Sequence, residues 1–538
     1  MNKIAEYLNT HLVGEVVTNS ATRKAYATDG SVLALTPEMV AFPRRTNDIR
    51  KIARFAWQLA EKGHVLGVTA RGNGSDTTGA AIGSGIVINF PSHMNTIFEY
   101  DAKQKLVRLQ PGVTVGTLQN ALSLYGTGIP RLRSALSQAT LGGVVANCRH
   151  ALEYIDQVEV VLANGDILQT QALSKRELAK KKGEQSFEGE IYRKLDALIE
   201  DNEALISSLA SEDEPLDHFG FAAIANVKQK NGSFDLTPLL AGSQGTLAVV
   251  SEMILQAEYV DQAPAIVVAA FKEEAHARDA IDALEKLELR DLTYLNGAYV
   301  ETASVFGKTY ETFETMKNDS GAVGAVLIMT ISDLSTHAKH KKLKKIQKVL
   351  KPFDAEIIVD EDETVSDLDA MFSLAEWQLN PDDKDTATPP LLEGFSVPLE
   401  RFEEFNSALV ALAKKHHVEL PLYGRPLEEV WYARPQLKLG TVGDKQKVFK
   451  LSNDLIQLVQ SHAGVPFAAS GEGRLHAHQT KALLDEQMVE LYRQVKEVFD
   501  PLGILNPGVK QPGDVRDTVK LLRSEYVAPA ATDFVARF

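Results

Sequence analysis

ARGNGSDTTGAAIGSG, residues Ala70–Gly85, lies between the apolar run HVLGV (His64–Val68) and the strand-like run GIVINF (Gly85–Phe90), so glycine-rich backbone joins two strands instead of opening a helix. A Rossmann turn puts its glycines at the start of a helix whose N-terminus faces a pyrophosphate, and a Walker A loop ends in Gly-Lys-Ser/Thr; neither pattern is present. The stretch still suits a phosphate. Gly72 and Gly74 free the backbone N–H groups of Cβ bulk, and Ser75, Thr77 and Thr78 add hydroxyls, the makings of an anion-binding concavity. The competing reading of such a Gly/Ser/Thr run is an ordinary surface turn.

Four later stretches favour the phosphate. Phe90–Leu122 (FPSHMNTIFEYDAKQKLVRLQPGVTVGTLQNAL) reads as a turn, strands, Pro111-Gly112-Val113 and an amphipathic helix from Thr117. ATLGGVVANC (Ala139–Cys148) and DLTPLLAGSQGTLAVVSEMIL (Asp235–Leu255) follow, and FDPLGILNPGVK (Phe499–Lys510) comes near the end. In this order and spacing, over roughly residues 15–512, the chain resembles the FAD-binding oxidoreductases of the vanillyl-alcohol oxidase and p-cresol methylhydroxylase superfamily. The closer likeness is to the D-lactate, glycolate and D-2-hydroxyglutarate dehydrogenase branch. The resemblance implies an α+β fold, a two-subdomain PCMH-type FAD-binding domain with a ferredoxin-like antiparallel-sheet cap domain.

Composition fits a globular chain. With 538 residues, 44% hydrophobic and 24% charged, there is material for two or three cores. A net charge of −15 argues against nucleic acid, whose phosphates need a basic face. No apolar run approaches a membrane span, and MNKIAEYLNT lacks a signal-peptide core, so the expected location is cytoplasmic with no integral membrane segment. The single Cys148 excludes internal disulfides and a cysteine-ligated iron–sulfur cluster within this chain. Electrons must therefore pass to an external acceptor: a quinone, oxygen or a redox protein. Homo-oligomerisation stays open.

The expected organisation is an FAD domain over 1–260, a substrate-binding cap over 261–450, a helical segment over 451–512 returning to the FAD domain, and a tail over 513–538 read as a mobile terminus. The charged stretch Ser174–Glu190 reads as a solvated insertion, with docking of an anionic partner as the other reading. From Ala263, two strand-helix units suggest the cap, broken by the loop NPDDKDTATPP (Asn380–Pro390). LLDEQMVELYRQVKEVF (Leu483–Phe499) carries apolar residues at helical spacing.

The resemblance implies specific roles. Arg71, Gly72, Asn73, Gly74, Ser75 and Asp76 would hold the FAD pyrophosphate, and Thr140, Gly142, Gly143 and Asn147 would follow the ribityl chain and ring. Gly242, Ser243, Gly245, Thr246 and Val250 match the family's G-S-E-G-T-L segment, with Gln244 in place of the glutamate, a minor change if the backbone makes the contact. Asn506 and Lys510 of the C-terminal signature complete the cofactor set. The FAD would be noncovalent, since the pyrophosphate loop has neither His nor Cys and Cys148 falls past the linkage position. Cys148 reads instead as a small buried residue. For each single glycine, tight-turn packing is the competing explanation.

The substrate side departs from the family. Where metal-dependent members read H-G-H-x-G-D-G-N-L-H-V-R-P, this chain has YGRPLEEVWYARP (Tyr423–Pro435), so the metal-ligand histidines map to Arg425 and Tyr432. A second family segment is shortened to SGEGRL (Ser470–Leu475), which keeps Glu472 and loses the histidine. Arginine offers no lone pair to a metal, so no metal site is expected; His462, His476 and His478 lack zinc-ligand spacing. A guanidinium can replace the cation by gripping a carboxylate through two parallel hydrogen bonds. Arg425 is the candidate, Arg434 a second contact, and Glu472 a partner for Arg425 in the empty site. A purely structural ion-pair network is the alternative. For the base, His476 has the most suitable intrinsic pKa and Tyr432 stands next.

The implied activity is oxidation of a small, D-lactate-like 2-hydroxy acid by hydride transfer to flavin N5, without a metal, with the small-molecule substrate bound in the cap. Two further readings stay open: a flavin-bearing electron-transfer or assembly subunit without substrate chemistry, and an oxidase of an alcohol, sugar or lactone.

Overall fold

The structure is a computed structural model that describes residues 3–132, 137–147, 153–209, 218–287, 289, 291–304, 317, 321–360, 386–387 and 391–523. Cys148 and nearly all of the loop at 380–390 lie outside the described residues.

Strands β1 (Glu15–Val17), β2 (Met39–Phe42), β3 (Val68–Arg71) and β4 (Ile86–Asn89) form a sheet in the order β1-β2-β4-β3. β2, β4 and β3 are parallel, and the central IVIN of β4 is buried throughout, as a strand covered on both faces must be. The helix Thr46–Ala60 covers it with Ile49, Ile52, Ala53 and Ala56, spaced i, i+3, i+4, i+7. β3 is VTAR and not the expected HVLGV: Val65 is 61% exposed, and alternation buries only Leu66 and Val68 of that run. Residues 72–85 thus connect two parallel strands in register, Val68 beside Ile86 and Arg71 beside Asn89.

A second, antiparallel sheet follows. β5 (Ile97–Asp101), β6 (Leu106–Leu109), β8 (Ile155–Val161), β9 (Ile167–Gln169) and β10 (Val249–Gln256) lie in the order β5-β6-β10-β8-β9, and β7 (Thr127–Gly128) pairs with β11 (Glu258–Tyr259) as a small ribbon. β10 alternates strictly, burying Val249, Ser251, Met253 and Leu255. The helix predicted from Thr117 begins at Val115, with the Thr114 hydroxyl capping Thr117 N–H. It shares one core with the helices Phe187–Asp201 and Glu486–Phe499, so the last strong helix does return to the N-terminal half. In Ser174–Glu190, Lys181 pairs with Glu188 and Lys182 with Asp196.

The cap sheet has seven strands: β12 (Ala265–Phe271), β13 (Asp291–Asn296), β14 (Ala325–Ile331), β15 (Glu356–Asp360), β17 (Leu392–Ser396), β18 (Leu422–Arg425) and β19 (Val430–Ala433), in the order β15-β12-β14-β13-β18-β19-β17. β16 (Thr386–Ala387) pairs with β20 (Leu437–Lys438) beside it. One sheet face packs Val267, Leu327, Leu422 and Trp431 under the helices Glu274–Glu285, Thr336–Leu350, Phe402–His416 and Val442–Ser461. The other face carries Val268, Val326, Tyr423, Val430 and Tyr432.

Two boundaries differ from expectation. Residue 450 falls inside the helix Val442–Ser461, whose Phe449, Leu455 and Val459 belong to the cap core. Residues 513–523 are no loose tail: a helix over Val515–Lys520 leads into Leu522, which bridges to Leu33 and packs with it in the cap core. Among the described residues, no helix is long and apolar enough to cross a membrane.

Candidate active site

Between the N-terminal half and the open face of the cap sheet runs a cleft with about 1670 Å3 of empty space, part of it open to solvent. Five glycines and seven alanines line it. Side chains this short leave backbone at the wall, which suits a long, flat ligand. Its charged lining is Arg71, Arg131, Arg425 and Arg434 against one carboxylate, Asp76. In a chain of net charge −15 this local excess of cations marks an anion site.

The loop at 72–85 forms one wall. Gly74 has φ +77°, and a Cβ there would stand 2.2 Å from the Arg71 guanidinium; at Gly72 it would stand 2.0 Å from Thr140 Oγ1. The Asp76 carboxylate organises the loop, accepting from Thr78 N (3.1 Å), Thr78 Oγ1 (3.0 Å), Ala80 N (2.7 Å) and Asn147 Nδ2. Asn73 Nδ2 donates to Gln138 O at 2.7 Å. Arg71 is buried, donates to Ala81 O at 3.3 Å and covers the Tyr26 ring; burial lowers its pKa, which Asp29 opposes.

Gln244 joins the walls. Its Nε2 donates to Thr78 Oγ1 (3.0 Å) and Asn147 Oδ1 (2.6 Å), and its Oε1 accepts from Gly473 N (3.0 Å). An amide can do both; a carboxylate cannot donate, so the replacement of glutamate here is more than minor.

Of the sequence-predicted cofactor residues, Arg71, Gly72, Asn73, Gly74, Ser75, Asp76, Thr140, Gly142, Gly143, Asn147, Ser243, Gly245 and Val250 line the cleft. Gly242, Thr246, Asn506 and Lys510 do not. Thr246 Oγ1 donates to Ser243 O at 2.7 Å, shaping the turn. Asn506 donates to Ala80 O and Gln244 O, both at 2.8 Å, and accepts from Thr69 Oγ1 at 3.1 Å; it positions the loop. Lys510 spends all three ammonium protons on His218 O (2.7 Å), Gly220 O (2.7 Å) and Glu472 (3.0 Å), leaving none for a phosphate.

Glu472 is the second correction. Buried against Lys510 and Gly220 N, it does not meet Arg425, which pairs with Glu428 at 3.5 Å. His476 is the third. It is 3% exposed, off the cleft wall, with Nε2 against Leu391 O at 2.6 Å, and burial holds its pKa down at about 3. Intrinsic pKa pointed to it; burial removes both its access and its proton. The His462, His476 and His478 rings each meet a backbone carbonyl, and among the described residues no group of three or more His, Cys, Asp or Glu side chains is arranged to hold an ion.

The depressed His476 pKa has a sign that can be tested. The unfolded state gains a proton below its ordinary 6.5 and the folded state does not until about 3, so this group makes stability fall with acid through that window. His476→Gln should flatten the pH dependence of the urea-unfolding free energy by up to about 1.4 kcal/mol per pH unit, the linkage limit for one proton, approached roughly one pH unit below the ordinary 6.5. An unchanged slope from pH 6 to 4.5 would show that His476 titrates normally.

The substrate end is built by the β18–β19 hairpin, in which Tyr423 faces Tyr432 and Arg425 faces Val430. Alternation sends Leu422, Trp431 and Ala433 into the cap core and Tyr423, Arg425, Tyr432 and Arg434 to the cleft. The two tyrosine rings stack at 4.6 Å and 7°. Arg425 lies 5.9 Å from the Tyr432 ring and Arg434 6.0 Å from the Tyr423 ring, with Arg434 Nη2 donating to Tyr423 Oη at 3.4 Å. Tyr423 was missed in the sequence, although it sits two residues before Arg425 on the same strand face; Pro111, Arg131 and Ser470 also line the cleft.

Residues 37–171 match an FAD binding domain and residues 264–509 the C-terminal domain of FAD linked oxidases. The chain is 27% identical to D-2-hydroxyglutarate dehydrogenase of Escherichia coli (strain K12), over 94% of this chain and 51% of that protein, so it spans about half the length of that relative. It is 20% identical to glycolate oxidase subunit GlcD of Bacillus subtilis (strain 168), over 90% and 91% of the two chains. The fold is similar to that of 4-ethylphenol oxidase from Gulosibacter chungangensis (TM-score 0.69, 14% identity, 96% and 97% covered) and of p-cresol methylhydroxylase (0.66, 14%, 96% and 97%).

Proposed function

We propose that this chain, whose residues 37–171 match an FAD binding domain and residues 264–509 the C-terminal domain of FAD linked oxidases, oxidises a small 2-hydroxy acid, D-lactate-like in size, to the 2-oxo acid without a metal. The observation that carries this reading is the pair Arg425 and Arg434 on one strand-hairpin face beside two stacked tyrosines. The cleft fits FAD through its glycine-lined wall and its four arginines, with Arg71–Asp76, Thr140, Gly142, Gly143, Asn147 and Gln244 as the holding residues. FAD held there would supply the electron sink for the substrate's hydride.

The protein's part is to grip and deprotonate. Two guanidiniums hold the carboxylate in a low-dielectric cleft and fix the carbinol carbon. Tyr432, as phenolate in the reactive form, takes the hydroxyl proton on Oη, with the Arg425 guanidinium 5.9 Å from its ring. The substrate thus loses one proton and one hydride. The electrons would then pass to an acceptor outside these 538 residues, whose one cysteine cannot ligate an iron–sulfur cluster.

No His or Cys lines the cleft among the described residues, which supports a noncovalent FAD. The test is anaerobic mixing of chelator-treated holoprotein with a panel of hydroxy acids, alcohols and lactones. Rapid bleaching of the flavin by a hydroxy acid is expected, and acid precipitation should release all the yellow colour. A flavin reduced only by dithionite would overturn the activity. Loss of bleaching on chelation, restored by a divalent metal, would overturn the metal-free mechanism, and colour left in the pellet would overturn noncovalent binding.

A further inference from the structure

Residues 521–523 pair with residues 32–34, just after the segment that backs the cofactor loop. Leu522 bridges to Leu33, Ala34 N donates to Leu521 O (2.8 Å), and Arg523 N donates to Val32 O (3.0 Å). The Arg523 side chain then wraps the same segment, with Nε on Leu33 O (2.8 Å) and Nη2 on Asp29 O. The clamped segment touches the loop directly. Asp29 Oδ2 accepts from Ala81 N at 3.3 Å, and Gly30 is so close that a Cβ would stand 2.9 Å from Asp76 O and 3.0 Å from Ser75 O. On the strap's other side, Lys445 of the cap helix donates to Leu522 O at 2.9 Å.

We infer that the C-terminal strap positions the pyrophosphate loop for FAD, and that Arg523 is the residue through which it does so. A continuous run of contacts leads from the cap helix through Leu522 and Arg523 to Asp29 and Gly30, and from there to Ser75, Asp76 and Ala81. Charge supports the role. Arg71, Arg474 and Arg523 surround Asp29, with Asp76 the other acid acting on it, so cations outnumber carboxylates behind the loop. Asp29 is fully enclosed, and burial, then Asp76, raises its pKa to about 6, against the Ser31 hydroxyl and the Arg523 and Arg71 charges that hold it down. The Arg523 charge acts, after the Ser31 hydroxyl, in the direction that favours the ionised Asp29 carboxyl, whose Oδ2 accepts from Ala81 N.

This inference rests on FAD lying along the loop, and the test separates the two. Full-length apoprotein is titrated with FAD and the dissociation constant read from quenching of flavin fluorescence. Arg523→Met should weaken binding about tenfold, the equivalent of one charged buried hydrogen bond, and Arg523→Lys, which keeps the charge and one donor, should recover most of it. The apoprotein melting temperature of Arg523→Lys should equal that of the native chain. If Arg523→Met does not fold, Arg523→Lys and Arg523→Gln carry the comparison, with Gln expected to bind FAD more weakly than Lys. Equal FAD affinity in folded variants, or a loss of apoprotein stability with no change in affinity, overturns the role. A native apoprotein that takes up no FAD counts against the cofactor site instead.

Discussion

Arg425→Lys is expected to lower kcat/KM by on the order of 2 to 4 kcal/mol of transition-state stabilisation, roughly 30- to 1,000-fold, with the flavin spectrum intact. The reason is geometry more than charge. A guanidinium offers a fork of parallel N–H groups to a carboxylate, and an ammonium offers a point charge. Arg425 sits where little water competes, its side chain 12% exposed, tethered by Glu428 and lying over Tyr432. Arg425→Met should cost more, since a bound carboxylate would then face a neutral side chain in a desolvated place. Arg434 shares the work from the opposite strand, so the double variant Arg425→Met/Arg434→Met should lose less than the sum of the single losses. Stopped-flow reduction of the flavin separates binding from chemistry. Ordinary kinetics in Arg425→Lys and Arg425→Met would leave Arg425 a structural partner of Glu428.

How far the chain could be read without coordinates depends on how local each signal is. The loop at Ala70–Gly85 was legible because glycines and hydroxyls declare a tight turn by themselves; Arg425, Tyr432 and Arg434 were picked out only by the family segment they depart from, and it is the β18–β19 register that puts them on one face. Asn506, Lys510 and Glu472 were misassigned for the opposite reason. Their partners are Thr69, Ala80 and Gln244 for Asn506, and His218, Gly220 and Glu472 for Lys510, contacts between segments far apart in the chain. No local pattern encodes that a lysine has its three donors already occupied. His476 failed on a related point, because an intrinsic pKa belongs to a solvated ring and burial cancels it. Composition read the end of the chain as loose, and the strap at 521–523 is ordered by backbone pairing with residues 32–34, which any sequence can make.

Tyr432→Phe should leave FAD and substrate affinity near their native values and slow flavin reduction by about 10²- to 10⁴-fold, the usual worth of a positioned general base. The variant keeps the ring, and with it the 4.6 Å stack on Tyr423 and the Arg425 contact, so only the oxygen that takes the proton is lost. Tyr423 supplies the control. Its hydroxyl already accepts from Arg434 at 3.4 Å and is committed to holding that guanidinium, so Tyr423→Phe should cost on the order of 1 kcal/mol, as for one modest hydrogen bond. The pH profile distinguishes a base from a mere contact. If Tyr432 must be ionised to act, reduction in the native chain accelerates as pH rises, because a larger fraction carries phenolate, and that rise disappears in Tyr432→Phe while persisting in Tyr423→Phe. A native-like rate in Tyr432→Phe, or a pH rise that survives it, would transfer the proton to another acceptor in the cleft. The same rise lost in Tyr423→Phe would make the second ring of the stack the base.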